Sequence, residues 1–304
     1  MDAGIETMKS LLMEFLPGDM NLETRIKGVH LVRREKAYQP KPLLYDPELI
    51  IVAQGRKKVS LGEHTYTYDA QNYFVLTVPL PVICEAFIKP GEPLLGIAIK
   101  LDPQVIAEIL SEMHCPPPMG QQVGHGLYQA SLPTDIIDAC IRLLKALKSE
   151  SEALVLGPMC VREILFKVIT GERGDVLKEL AFSNRNQYQI SRVVSMIHER
   201  YAQPLDMQTL AKEAGMSISA FHSNFRTLTN CSPLQYIKTV RLHRAKELIQ
   251  QNGEKAYEAA SLVGYQSVSQ FSREYKRCFG VSPAKDRQVE ERLGVGKTNM
   301  ATAI

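Results

Sequence analysis

The sequence predicts an α+β chain: an amino-terminal β-barrel or jelly roll with flanking helices, then an all-α half. In that second half two helix-turn-helix units are joined by a long helix. Three observations carry this reading. Hydrophobic periodicity changes at Asp102-Pro103, from the alternation of strands to the three-and-four spacing of helices. Two segments of the carboxy-terminal third superimpose at an offset of fifty residues. That third, residues 188–287, has a net charge of +6, whereas the remainder sums to −3. A basic module joined to a slightly acidic body fits a nucleic-acid partner.

The 304 residues suffice for about two domains. A hydrophobic content of 45% beside 23% charged residues describes a soluble globular protein with material for a core. The opening "MDAGIETMKSLLMEF" has acids before its first lysine and no basic lead, unlike a secretory signal. No apolar run approaches the ~20 residues of a membrane helix. Cys84, Cys115, Cys140, Cys160, Cys231 and Cys278 are scattered without C-x-x-C. That spacing argues against a zinc ribbon or a disulfide framework and suits a reducing cytoplasm. A cytoplasmic location without a membrane partner is expected.

The barrel is predicted over about 22–101. "HTYTYD" (His64–Asp69) alternates, and "ELIIVAQG", "NYFVLTV", "VICEAFIK" and "LLGIAIKL" are short runs rich in β-branched and aromatic residues. Gly55, Gly62 and Gly91 fall between them at turns. About eight strands at this spacing make a small barrel or jelly roll. Helices follow over about 102–170. The first takes Asp102 as its cap and Pro103 in its first turn. "CPPPMGQQVGHG" (Cys115–Gly126) is a loop. "PTDIIDACIRLLKALK" sets Ile137, Cys140, Ile141, Leu144 and Leu147 on one side of a helix, to pack on the barrel or on a second subunit. A further helix covers Leu154–Thr170. The polar "TGERGDVLKELAFSNRNQ" with its two glycines holds the boundary. The domains are thus 1–175, a linker 176–187, the helical half 188–287, and a tail 288–304.

In the repeat, Ser217 meets Ser267, Phe221 meets Phe271, Phe225 meets Tyr275, Asn230 meets Gly280, and Ser232-Pro233 meets Ser282-Pro283. Ser217 and Ser267 suit a helix N-cap, and Gln270 three residues on would complete a capping box. The aromatic pairs at i and i+4 give each helix an apolar side. Asn230 and Gly280 tolerate the left-handed conformation that ends a helix. Before each copy stands a short helix and a glycine turn, at Gly215 and Gly264, which completes the helix-turn-helix plan. The joining segment "PLQYIKTVRLHRAKELIQ", if helical, spans roughly 27 Å at ~1.5 Å per residue. It could hold two reading helices, near 218–228 and 268–279, about one DNA turn of ~34 Å apart.

With the aromatics buried, helical geometry turns Ser219, His222, Ser223 and Arg226 outward in the first unit. In the second it turns out Ser269, Gln270, Ser272, Arg273 and Lys276, with Val268 at the entrance. The planar fork of Arg273 suits guanine O6 and N7, Gln270 suits adenine, and Val268 a thymine methyl. Arg226 and Lys276 lie later in their helices and suit phosphate.

Residues 188–287 resemble the DNA-binding domain of the AraC/XylS family of bacterial transcription regulators. The resemblance rests on F-x-x-x-F-R in the first unit, on Tyr236, Ile237, Arg241 and Ala245 in the joining helix, and on "GYQSVSQFSREYKRCFGVSP". Residues 22–113 also resemble the amino-terminal sensor domain of one branch of that family, around "LLYDPELIIVAQGRKKVSLGEHTYTY". Asp286 stands where the family usually has an aromatic. The resemblance implies a ligand-responsive regulator, an activator rather than a repressor, that works as a homodimer on promoter DNA and with RNA polymerase.

A small barrel fused to a DNA reader places an unknown small-molecule effector within the barrel. Tyr66, Tyr68, Phe74, Cys84 and Phe87 are the candidate lining residues, and Cys84 could be a thiol that meets an electrophile. A cupin-like enzyme would need clustered ligands such as H-x-H, but the barrel has only His30 and His64, far apart. No metal, cofactor or catalytic residue is expected. "GVGKT" (Gly294–Thr298) lacks the first glycine and the following helix of a phosphate-binding loop. Two other functions fit less well: a cupin-like enzyme fused to a DNA-binding domain, and a nucleoid-type DNA binder without sequence choice.

Overall fold

A computed structural model describes residues 2–114, 126–181 and 186–286. Helix α1 (Asp2–Phe15) precedes nine strands: β1 (Met20–Glu23), β2 (Val29–Arg34), β3 (Tyr38–Tyr45), β4 (Glu48–Gln54), β5 (Arg56–Leu61), β6 (His64–Tyr68), β7 (Asn72–Leu76), β8 (Leu80–Phe87) and β9 (Leu94–Lys100). Then come α2 (Pro103–Glu112), β10 (Leu127–Ser131), α3 (Thr134–Ala146), α4 (Glu150–Thr170) and α5 (Asp175–Ala181). The helical half holds α6 (Asn186–Arg200), α7 (Met207–Glu213), α8 (Ile218–Thr229), α9 (Pro233–Gln251), α10 (Ala256–Leu262) and α11 (Val268–Phe279).

The strands do not close into the expected barrel. They form two separate antiparallel sheets, one in the order β1-β2-β9-β4-β7-β10 and one in the order β3-β8-β5-β6. The α+β class stands, and the jelly-roll alternative describes it better, because two sheets face each other across a core. Strand β10 was not foreseen. Its five residues "LYQAS" carry little pattern, and it finds its place only by pairing with β7, Leu127 opposite Leu76. Helix α1 was not foreseen either. It buries Met8, Leu11 and Leu12 at three-and-four spacing, and Gly4 lets it approach α3, where a Cβ would stand 2.9 Å from Ile137.

Strand β4 shows how the layers are built. Leu49, Ile51 and Ala53 face the helices, while Ile50 and Val52 face the other sheet. A strand buried on both faces reads as an unbroken apolar run, as "LIIVA" does. Of the apolar side of α3, Ile137, Cys140 and Leu144 are fully buried in the chain's own helical layer, and Ile141 and Leu147 are partly buried against it. Helix α4 instead leaves Val155 (65% exposed), Met159 (64%) and Phe166 (43%) uncovered, at spacings that share one side.

The core between the sheets continues into the helical half. Val59, Leu61, Tyr68, Phe74 and Leu76 belong to the same cluster as Phe221, Phe225, Leu228 and Tyr236. The second unit has its own core, of Leu242, Ala245, Ile249, Ala260, Val263, Phe271 and Tyr275. The stretch 176–187, read as linker, carries α5 as far as Ala181, with Leu177 buried in the helical layer. Residues 115–125 of the expected loop and the tail with its "GVGKT" lie outside the described residues.

Candidate nucleic-acid interface and effector site

Each unit is set by a cap, a turn and an aromatic pair. The Asp206 carboxylate accepts from the Thr209 amide at 2.8 Å, which starts α7. After Gly215, the Ser217 hydroxyl accepts from the Ala220 amide at 3.3 Å and starts α8. Phe221 and Phe225 are fully buried, with ring centroids 5.5 Å apart, and Phe225 meets Tyr236 edge-on at 5.4 Å. Ser219, Ser223 and Arg226 are accordingly exposed. His222 is half-buried and stands edge-on to Phe221. Asn230 ends α8 in the left-handed region (φ 56), as its residue type led one to expect. Ser232 then caps α9, accepting from the Gln235 amide at 3.3 Å.

The second unit repeats the plan. Gly264 has φ 86, and a Cβ there would lie 2.4 Å from the Ala202 carbonyl oxygen, so only glycine fits. Phe271 and Tyr275 are fully buried, Ser272 is half-buried, and Val268, Ser269, Gln270, Arg273 and Lys276 are exposed. The expected capping box forms only by half. Ser267 accepts from the Gln270 amide at 3.3 Å, but the Gln270 side chain turns along the helix to Glu274. Among the described residues, Arg226, Arg273 and Lys276 enter no ion pair, so their charge stays available to a partner.

Two features of this half escaped the sequence. Arg241 ties two loops to α9: Nε donates to Tyr201 O at 2.7 Å and Nη2 to Gln203 O at 2.9 Å in the loop before α7, and Nη1 donates to Gly264 O at 3.1 Å in the turn before α11. A planar five-donor fork can do this where lysine cannot. Asp286, where an aromatic was expected, is buried and accepts from the Tyr275 hydroxyl at 2.7 Å and from Gln250 Nε2 at 3.2 Å. The second unit closes through hydrogen bonds where the first closes with Tyr236.

The first unit is latched to the sandwich. Gly126 N donates to Leu228 O at 3.0 Å, and Asn230 Nδ2 to Leu61 O at 3.1 Å. The Tyr236 hydroxyl donates to Pro79 O at 2.5 Å and lies 2.8 Å from His198 Nε2. Its one proton goes to Pro79, so the histidine is the donor in that second bond. Burial, then Arg244, lowers the His198 pKa to about 4, so the ring is neutral near pH 7.

Within the sandwich, Tyr66, Tyr68, Phe74 and Cys84 come together between the sheets. Tyr68 stacks on Phe74 with centroids 4.7 Å apart. Phe87 does not join them. It lies on the outer side of β8, 37% exposed, under the Arg56 guanidinium at 4.8 Å. Strand alternation decides this, since Cys84 and Phe87 are an odd number of residues apart. The structure adds Tyr38, Tyr45, Lys57 and Glu48 to the group. The Tyr45 hydroxyl lies 3.1 Å from Cys84 Sγ and 3.4 Å from the Tyr68 hydroxyl, and it accepts from Lys57 Nζ at 3.4 Å. The Tyr38 hydroxyl is 3.3 Å from the same sulfur. Lys57 is fully buried, and burial, reinforced by Arg34 and Lys41, lowers its pKa to about 8. Burial, then Asp46, raises Glu48 to about 8. Lys57 alternates with Val59 and Leu61 along β5, a pattern present in "RKKVSL" that a lysine disguises.

A β sandwich latched to a paired helix-turn-helix domain, with two exposed polar helix faces, defines the class: a DNA-binding regulator with a second module attached. The comparisons with known proteins agree. Residues 25–176 match the family of AraC-type transcriptional regulator N-termini, half of the chain, and residues 210–288 match a helix-turn-helix domain family. The chain belongs to the AraC/XylS family of transcription regulators. It is 24% identical to the Msm operon regulatory protein of Streptococcus mutans over 84% of this chain and 88% of that one. It is 31% identical to the regulator GbdR of Pseudomonas aeruginosa over 34% of this chain, spanning only 28% of that protein's length. For ExsA of the same species the identity is 23%, over 51% of this chain and 55% of the relative. In fold it is similar to apo ToxT from Vibrio cholerae, with a TM-score of 0.58 at 12% identity, covering 88% of this chain and 99% of ToxT.

Proposed function

We propose that the chain is a ligand-responsive, sequence-specific transcription regulator that enters two successive major grooves with α8 and α11. One observation carries the reading: two polar helix faces, each backed by a buried aromatic pair, hang on one 19-residue helix, α9. At ~1.5 Å per residue that rod is roughly 28 Å long, close to the ~34 Å between successive grooves on one side of a duplex. Arg273 and Gln270 read base edges in the second groove and Ser219, His222 and Ser223 face the first, while Arg226 and Lys276 meet phosphate.

The effector enters between the sheets. Lys57 is an ammonium with three donors and a single long hydrogen bond, and Glu48 Oε1 is buried without a donor among the described residues. Groups left so short of partners favour a ligand that supplies them. One ToxT structure holds an unsaturated fatty acid, so the fold accepts small molecules in another protein. The latch at Pro79, Leu61 and Gly126 carries the effector state to the first reading unit. The uncovered side of α4 joins two copies into a homodimer, which contacts RNA polymerase as an activator. No helix of the described residues is long and apolar enough to cross a membrane, consistent with work in the cytoplasm. Its relatives are regulators, which favours a sandwich without catalysis.

Selection of genomic fragments by the purified full-length chain tests the reading. One shared motif should emerge, preferred over random duplex by ~10³ or more. Equal retention of random DNA would sink sequence-specific regulation and leave a nucleoid-type binder.

A further inference from the structure

The second reading helix carries a hydrogen-bond network that reaches one of its outward side chains. Gln270 Nε2 donates to Glu274 Oε1 at 3.1 Å, one turn along α11. The same oxygen accepts from Lys238 Nζ of α9 at 2.8 Å, and Glu274 Oε2 accepts from the Tyr265 hydroxyl at 2.7 Å. The Glu274 side chain is only 15% exposed, so the network lies at the foot of the reading face rather than in open water. Burial pushes this carboxyl up, but the bonds from Lys238, Tyr265 and Gln270 outweigh it and hold the pKa below the usual value. Near pH 7 the group is a carboxylate that can only accept.

That fact fixes the glutamine. The end of Gln270 facing Glu274 must be its NH₂, which leaves one N–H and the carbonyl oxygen free to turn outward. Adenine offers an N7 acceptor and an N6 donor in the major groove, which match one N–H and one carbonyl. Guanine offers two acceptors, O6 and N7, which an unrestrained glutamine could approach with both of its N–H groups. With one N–H already held, that second mode is lost. Lys238 meanwhile neutralises the carboxylate, which would otherwise stand near phosphate.

We infer that Glu274 is a positioning residue for base choice, holding the Gln270 amide in the orientation that takes adenine over guanine. The inference rests on the reading of α11 as a major-groove helix. Lys238 of the joining helix screens the charge of Glu274, while Tyr265, in the turn before α11, holds the carboxylate independently.

The test uses the full-length chain, folded as judged by circular dichroism. A motif is first selected from random DNA, and the Gln270 position is found as the one whose preference Gln270→Ala abolishes. Duplexes with each base at that position are then titrated. Wild type should favour adenine over guanine about tenfold. Glu274→Ala should bring the two within about twofold, while the freed Lys238 raises affinity alike for all four bases and for random duplex. The double variant should lose no more than Gln270→Ala alone, because the two residues act as one. Lys238→Met leaves Tyr265 holding Glu274 and should keep the preference. Retained preference in Glu274→Ala, additive losses in the double variant, equal loss in Lys238→Met, or no position answering to Gln270→Ala would each overturn the inference while sparing the regulator reading. Selection that yields no motif would overturn both.

Discussion

Glu48 allows a quantitative check of the sandwich interior. It opens β4 on the side that looks toward the other sheet, 2% exposed. Its pKa is raised from 4.5 to about 8, by burial first and then by Asp46. A group whose folded pKa lies above its unfolded value gives stability that is whole at low pH and lost as pH climbs toward the folded pKa. Wild type should therefore weaken between pH 5 and 7.5, by about 1.4 kcal/mol per pH unit, or about 3 kcal/mol across that window. Lys57, lowered to about 8, stays largely protonated there and adds little slope. Glu48→Gln keeps the shape of the neutral acid and has no proton to lose. Urea unfolding of both proteins, followed by tyrosine near-ultraviolet circular dichroism at several pH values, gives the comparison. The variant should gain on wild type by about 3 kcal/mol from pH 5 to 7.5. Parallel pH profiles would refute the reasoning, since they would mean that Glu48 ionises in the fold as easily as in water.

Three further outcomes follow from other parts of the molecule. Arg273→Ala should relax base preference at one position, whereas Lys276→Ala should weaken all duplexes alike and lower the salt slope by about one; titration against specific and random DNA at several salt concentrations separates them. Val155→Glu with Met159→Glu should turn a sedimenting dimer into a monomer at tens of micromolar, if α4 is the joining surface; an unchanged species would move the interface elsewhere. Tyr236→Phe removes the donor to Pro79 and should cost about 1–3 kcal/mol, since that carbonyl and His198 lose a buried partner. Amide exchange should then quicken around Leu76–Leu80 and in α8, but not in α10 or α11.

Much of the helical half was legible because its signals are local. Caps at Ser217 and Ser267, aromatic pairs one turn apart, and helix stops at Asn230 and Gly280 each depend on neighbours within about one turn. The "ELIIVAQG" run announced a strand for the same reason, but only the structure shows β4 covered on both faces. What escaped depends on distant pairing. Nothing in "LYQAS" says that it will lie beside β7, and nothing local distinguishes a closed barrel from two facing sheets. Gln270 is the instructive case. Its spacing from Ser267 fits a capping box, but Glu274, held by Lys238 from another helix, competes for the amide and wins. Phe87 illustrates a different cause: its aromatic type suggests a lining residue, but alternation along β8 puts it on the opposite side from Cys84. The same alternation put Lys57 inside, where its charge argued for the outside.

The continuous packing of the sandwich with the first unit makes the two reading heads unequal. One shares the sandwich core and must share whatever strain or melting occurs there; the other keeps its own small interior and meets the sandwich chiefly where α9 and α11 touch its strands. Heating should therefore release the distal head as a separate event and the proximal head only together with the sheets. A perturbation at the turn around Pro79 would be felt by one half of the DNA site first, so any signal from the sandwich would reach the duplex asymmetrically.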